Sequence, residues 1–304
     1  GAIAAGGTLG ILIPPSVILI IYGLLTESDI GKLFIAGIVP GLLGVALYLI
    51  AVMVSVRVDP SLAPEVGEPV PMSRNDLVGV LATIALFVFI MGGIYGGVFT
   101  PIEAAGMGAA ASVVIAAVVG GLTRKDLRGA LLDAAVATAM IFAIIIGAEI
   151  FGNFITFAGL PDALSDLVQN LNLGPWVVIG LIVVTYLVLG TVLESLSMVL
   201  LTVPVFYPLV MQLDFGAGPL ADPDMILIWF AIIVVVATEI SLITPPVGMN
   251  VFVLRSVLPE VSLGTMFRGV LWFWAVDVVR IALIVAFPAI TLWLVMPYAS
   301  TIVW

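Results

Sequence analysis

From residue 1 to residue 296 the chain is a succession of apolar runs divided by short polar punctuation: 1–25, 34–56, 77–95, 104–122, 130–157, 174–211, 225–258 and 267–296. Several reach or exceed the roughly 20 residues that carry a helix across a bilayer. None alternates polar and apolar residues as the strands of a membrane barrel do. A backbone inside lipid has to satisfy its hydrogen bonds within its own segment, so such runs fold as helices. With 63% apolar and 9% charged residues and a mean hydropathy of +1.35, against roughly 45–50% apolar content in a soluble domain, the fold class is an all-α polytopic membrane protein.

The chain has no His and no Cys. That excludes His-based triads, thiol nucleophiles, zinc sites with nitrogen or sulfur ligands, axial haem histidine and iron–sulfur ligation. No catalytic residue is assigned. The net charge of −10 comes from acids scattered through loops and helix ends, with no acidic block, so no basic partner follows from it and no nucleic acid is expected. The chain opens on Gly1 within an apolar run, without Met or a signal peptide, which reads as an N-terminally truncated fragment.

The longest polar stretch, 57–76, holds Pro60, Pro64, Pro69 and Pro71 and reads as a loop between two halves. Positively charged loops stay in the cytoplasm. Arg57 and Arg74 mark one such loop, and Arg124, Lys125 and Arg128 mark another two crossings later. The segments around Gly97 and over 159–173 lack Lys and Arg and read as external loops. Thr100, Pro101 and Glu103 have the spacing of a capping box with Pro at the first helical position, which makes Glu103 a helix start and not a buried functional acid.

Two apolar runs are interrupted in the same way. GTLGILIPPSVILIIYG, 7–23, carries Pro14 and Pro15, and TEISLITPPVGMNVFVLRSV, 238–257, carries Pro245 and Pro246. The two breaks lie 231 residues apart, and Glu27, Gly31 and Phe34 recur 233 residues later as Glu260, Gly264 and Phe267. Interrupted helices at matching places in two halves point to the binding site of a secondary transporter. Four crossings separate the two broken segments, so they run in opposite directions and the repeats are inverted. The run 174–211 leaves this parity unchanged, as a re-entrant hairpin or as two crossings. The hairpin is favoured, with its tip at LESLSM, 193–198, because a polar cluster at depth needs protein or a wet cavity around it.

Proline has no N–H to give, so Pro14 and Pro15 release the carbonyls of Gly10 and Ile11, and Pro245 and Pro246 those of Ser241 and Leu242. Four bare carbonyls, with the hydroxyls of Thr8, Ser16 and Thr244 and the amide of Asn250, form a hard oxygen set suited to Na⁺. The half-helices that restart after each break present positive N-termini to a carboxylate.

These stretches resemble the large membrane subunit of the tripartite ATP-independent periplasmic (TRAP) transporters. GAIAAGGTLGILIPPS followed by IGKLFIAGIVPGLL is similar to the first-repeat signature, and VFTPIEAAGMGAA to the mid-chain signature. GTVLESLSMVLLTVPVFYPLV and EISLITPPVGMNVFV are similar to the second-repeat hairpin and broken helix. The resemblance covers essentially the whole chain. It implies a multi-pass permease of the bacterial inner membrane, importing organic acids such as C4-dicarboxylates or sialic acid with Na⁺ as coupling ion. Its expected partners are a periplasmic substrate-binding protein and a small four-helix membrane subunit, and its expected motion is an elevator-like shift of a transport domain. It also implies scaffold helices and a first hairpin ahead of Gly1.

On this reading 1–56 is the remainder of the first repeat, 57–76 a cytoplasmic loop, 77–157 scaffold helices, and 158–304 the second repeat with hairpin 174–211, broken helix 225–258 and last helix 267–296. The resemblance places Ser195 and Ser197 at the hairpin tip. Thr244, Pro245, Pro246, Gly248 and Asn250 fall at the second break, and Thr8, Gly10, Pro14, Pro15 and Ser16 at the first. One cation site is expected at each break, each completed by its own hairpin, and the expected substrate contacts are Ser16, Ser195, Asn250 and Arg280.

Charges at membrane depth need partners. Asp277 and Arg280 are three apart on one helical face and can pair, while Arg280 is also the fallback contact for a substrate carboxylate. Glu149, Glu194 and Glu239 have no partner in the local sequence. Glu194 either binds the cation or faces water, and Glu149 and Glu239 open a route to H⁺ coupling. Trp272, Trp274, Trp293, Tyr298 and Trp304 suit interfacial anchoring of the last segment. Two other functions remain open: a carboxylate symporter that uses no binding protein, and an intramembrane enzyme built on Glu194 and Glu239.

Overall fold

A computed structural model describes residues 1–63 and 73–297 of the chain. Pro64, Pro69 and Pro71 of the polar loop, and Tyr298 and Trp304, lie outside the described residues. No strand occurs among the described residues. The helices are α1 (Ala2–Leu12), α2 (Val17–Thr26), α3 (Ile30–Val58), α4 (Arg74–Tyr95), α5 (Pro101–Val118), α6 (Arg124–Phe157), α7 (Leu160–Asn170), α8 (Pro175–Leu189), α9 (Ser195–Met211), α10 (Pro223–Ser241), α11 (Met249–Val257), α12 (Leu263–Ala286) and the single turn α13 (Ala289–Leu292). Among the described residues, seven segments are long and apolar enough to cross a membrane: α1 with α2, then α3, α4, α5, α6, α10 and α12.

Two compact units emerge, one of 1–63 with 146–304 and one of 64–145, and α6 runs through both. In the smaller unit α4 and α5 pack against each other. The capping box is present as read: the Thr100 hydroxyl accepts the Glu103 N–H at 3.3 Å, and the Glu103 carboxylate accepts the Thr100 N–H at 2.9 Å. Gly97, at φ +68°, makes the left-handed turn before it, a conformation a Cβ disfavours.

The larger unit is built around α10. Every residue from Met225 to Ser241 is buried, as befits a helix that is apolar on all sides. Its neighbours include α1, α2, α3, α8, α9, α12 and α13. Side chains with one polar atom lock the packing. Trp229 Nε1 donates to the Ile284 carbonyl at 3.0 Å, and the Tyr22 hydroxyl donates to the Leu227 carbonyl at 2.9 Å. In lipid such contacts and close packing replace the hydrophobic drive that joins helices in water.

The repeat is visible in the contacts. α1 packs on α10 and α3 on α12, and both cross-pairs, α1 with α12 and α10 with α3, are also made. The N-caps of α3 and α12 are Asp29 and Ser262, again 233 residues apart, accepting the N–H groups of Lys32 and Thr265 respectively. The Pro14–Pro15 and Pro245–Pro246 peptide bonds are both cis.

Three stretches differ from the sequence expectation. The segment 159–173, read as a loop, contains α7, which starts at Gly159 in the left-handed conformation, carries Pro161 and Asp162 in its first turn and packs against α9. The run 267–296 is not one helix: α12 begins at Leu263 and ends at Ala286, just ahead of Pro288, which cannot continue it. Trp274 is half-buried, and its Nε1 donates to the Thr244 hydroxyl at 2.9 Å, a contact within the fold that the sequence did not show.

Candidate functional site

The first broken helix is α1, an extended segment over 13–16, and α2. Pro14 and Pro15 stop α1, and Ser16 starts α2 as its N-cap, its hydroxyl accepting the Leu19 N–H at 3.3 Å. The second is α10, the segment 242–248, and α11, which starts after Gly248 in the left-handed conformation at φ +56°. A Cβ there would press against the Phe267 ring and the Thr244 carbonyl. The helices α8 and α9 have 15 and 17 residues and contact each other, and the polar turn 190–194 joins them. Each is shorter than the roughly 20 residues of a spanning helix.

The hairpin tip and the first break meet. Gly10, Ile11, Pro15, Ser16, Val17 and Ile18 from the break, and Glu194, Ser195 and Leu196 from the tip, line one cavity of about 360 Å³. Its size falls within the roughly 300–1,000 Å³ typical of ligand sites. The N-termini of α2 and α9 both open on it, so the partial positive charge of two helices falls on the same space. At α9 that charge is met from within: the Glu194 carboxylate accepts the N–H groups of Leu196 and Ser197, each at 3.0 Å. Glu194 is thus the N-cap of α9 as well as a wall of the cavity. Ser195 is buried and lines the cavity, whereas the Ser197 hydroxyl turns to Glu194 at 3.4 Å.

The freed carbonyls are arranged otherwise than expected. The Ser16 hydroxyl donates to the Ile11 carbonyl. At the second break the Ser241 carbonyl accepts the Thr244 N–H and the Leu242 carbonyl the Asn250 N–H, both at 3.1 Å. The Thr244 hydroxyl donates to the Ile240 carbonyl at 2.6 Å. Three of the four carbonyls released by proline therefore have a protein donor, because a backbone acceptor at membrane depth finds the nearest N–H or O–H. Asn250 Nδ2 reaches the Ala4 carbonyl at 3.4 Å, joining the second break to α1. Thr8 also turns away from the cavity, donating to the Ala5 carbonyl at 2.7 Å.

Pro14 is buried, and Pro15, Pro245 and Pro246 are exposed. The cavity at the hairpin tip is lined from the first break, and the hairpin turn at Gly190 lies against Ser241 at the end of α10, ahead of the second break.

Arg280 is fully buried in an ion cluster. It pairs with Asp277 at 3.1 Å, as the spacing predicts, and with Glu239 of α10, for which the local sequence offered no partner. Glu149 lies on an exposed part of α6. The residues that sequence reasoning missed are Tyr48, whose hydroxyl donates to Asp277 at 2.5 Å, and Gly44, where a Cβ would collide with the Arg280 guanidinium and with Leu9. The repeat held the signal, since Gly44 and Asp277 are also 233 residues apart.

Comparison with known proteins places these features. Residues 1–290 match the family described as tripartite ATP-independent periplasmic transporter, DctM component. The chain is 36% identical over 300 residues to the C4-dicarboxylate TRAP transporter large permease protein DctM of Pseudomonas aeruginosa, covering 96% of this chain and 66% of that protein. It is 31% identical over 294 residues to the sialic acid TRAP transporter large permease protein SiaM of Vibrio cholerae, covering 96% and 66%. It is 33% identical over 261 residues to the isethionate TRAP transporter permease protein DctMQ of Oleidesulfovibrio alaskensis, covering 84% and 39%. The chain spans about two thirds of the length of the large permeases it matches. The all-α fold, the seven apolar spans and the match over nearly every residue agree: this chain is a multi-pass inner-membrane protein and belongs to the DctM component family of the tripartite ATP-independent periplasmic transporters.

Proposed function

We propose that the chain is part of the permease subunit of an organic-acid importer that is coupled to Na⁺ and fed by a periplasmic binding protein. A small four-helix membrane subunit is its partner, separate or fused, and an elevator-like shift of a transport domain carries the solute. The cavity between the first break and the hairpin tip is the observation that carries this reading. The N-terminus of α2 opens on this space and favours an organic anion, and the Glu194 carboxylate that caps α9 favours a cation beside it. The similar permeases named above are named for C4-dicarboxylate, sialic acid and isethionate, all organic anions.

The residues fit an alkali cation better at the hairpin cavity than at the second break. The cavity brings together the Glu194 carboxylate, the hydroxyls of Ser16 and Ser195 and the backbone of Gly10, a hard oxygen set. At the second break the carbonyls and the Thr244 hydroxyl already accept protein donors. A carbonyl keeps a second lone pair, so Ser241, Leu242 and Thr244 could still contribute beside Gly248 and Asn250. The elevator-like motion rests on the family resemblance.

Uptake by proteoliposomes tests the proposal. The full-length permease is reconstituted with its small subunit and binding protein and supplied with radiolabelled C4-dicarboxylate or sialic acid. Uptake is expected to require both an inward Na⁺ gradient and the binding protein, and to fall about tenfold in Ser195→Ala and Asn250→Ala, the worth of one good hydrogen bond. Uptake that follows a proton gradient alone, or ignores both substitutions, contradicts the reading.

A further inference from the structure

In the larger unit, four helices share one buried ionic cluster. Glu239 of α10 and Asp277 of α12 flank Arg280 of α12, and Tyr48 of α3 donates to Asp277 at 2.5 Å. The Thr8 hydroxyl of α1 stands 3.5 Å from the Tyr48 hydroxyl. Glu239, Asp277 and Arg280 are all 0% exposed. The repeat explains the room for them. Thr8 and Glu239 each lie six residues before the first proline of their break, and Gly44 and Asp277 share the 233-residue offset. One repeat supplies Thr8 and Gly44 where the other supplies two acids, and the Arg280 guanidinium fills the space that Gly44 leaves.

The charges do not balance. Two carboxylates face one guanidinium, so the fully ionised cluster carries one negative charge on side chains that are 0% exposed. α1 carries no ionisable side chain, Tyr48 is the titratable group that α3 turns to the cluster, and α10 and α12 contribute the three ions themselves. Asp277 Oδ1 stands 3.1 Å from the guanidinium, and the Leu12 backbone of α1 also reaches Glu239, so Arg280, Tyr48 and this one backbone group are what face the two acids. An uncompensated buried charge is far more costly than a protonated acid. A second cation is disfavoured because the guanidinium already stands between the two acids.

We propose that the cluster is a proton-binding site, holding one proton shared by the Glu239–Asp277 carboxyl pair, so that the centre of the fold is neutral. The proton belongs to the pair and not to one residue, since both acids face the same guanidinium. This inference is independent of which solute or ion the protein moves.

Infrared spectroscopy of the full-length permease in lipid nanodiscs at neutral pH tests it. The carbonyl stretch of a buried carboxylic acid, separate from the carboxylate band and shifted in D₂O, is expected in the wild type. Glu239→Gln and Asp277→Asn each leave one carboxylate against Arg280, a neutral pair that needs no proton. The band is therefore expected to vanish from both variants while each elutes and melts as a folded protein. Glu239→Asp keeps the count and should keep the band. A wild-type spectrum without the band overturns the proposal, as does a band that survives in either amide variant. Should the amide variants not fold, Tyr48→Phe decides: it removes a hydrogen bond to the pair and must shift the band, and an unmoved band overturns the assignment.

Discussion

Replacing Arg280 by glutamine is expected to cost about 3–5 kcal/mol, the loss seen when one partner of a buried ion pair is removed, and to collapse the melting temperature of the purified permease. The reason is the count of charges. Arg280 is the single cation facing Glu239 and Asp277, and all three are closed off from solvent. Without it two acids are left buried with no cation, and four helices meet at that point. Glu239→Gln is the control, because it leaves Asp277 and Arg280 matched, so its loss should be much smaller. Thermal unfolding followed by fluorescence-detected size exclusion separates the two. Equal loss in both variants would mean that the cluster contributes by packing and not by charge.

The second large effect belongs to the hairpin. Ser195→Leu is expected to cut solute uptake roughly a hundredfold, the scale of loss when a reacting or bound group is displaced by about an ångström, with little change in folding. Ser195 is the first residue of α9 and sits at 7% exposure in the wall of the cavity, opposite Pro15 and Ser16. A leucine there places a branched apolar side chain where the solute and its ion would lie. It also removes a hydroxyl from the N-terminus of α9. Val192→Leu, in the same turn but 71% exposed, should leave uptake unchanged. Uptake assays on both variants, normalised to the amount of folded protein, measure this difference.

How much of this was legible in the sequence varies by physical cause. The spans are set by apolar length, so α3, α4 and α5 stand close to the runs that predict them. The breaks follow from proline's missing N–H, and the capping box at Thr100 and Glu103 from local spacing alone. What sequence could not show is how a freed carbonyl is satisfied. Losing the Pro246 N–H predicts an orphan at Leu242, but the donor that replaces it is the N–H of Asn250, delivered by the turn at Gly248. Long-range pairing was equally hidden: Glu239 and Arg280 are 41 residues apart and meet only because α10 packs on α12. α7 was missed because its few apolar residues are too short a run to register as a span, although Gly159, Pro161 and Asp162 carry the start signal of a helix. The Gly44–Asp277 correspondence was available from the repeat offset, and it marks where one half yields space to the other.

The first break and the hairpin tip line one cavity, proposed above as the solute site. These 304 residues hold no cysteine; in a full-length permease with any cysteine outside them replaced, Ser16→Cys and Ser195→Cys are introduced singly and labelled with a small thiol reagent, the modified site being read by mass spectrometry. Both positions are expected to react, and the same concentration of the transported acid, with Na⁺ present, is expected to protect both. Protection of one position without the other, or of neither at concentrations that saturate uptake, would contradict it.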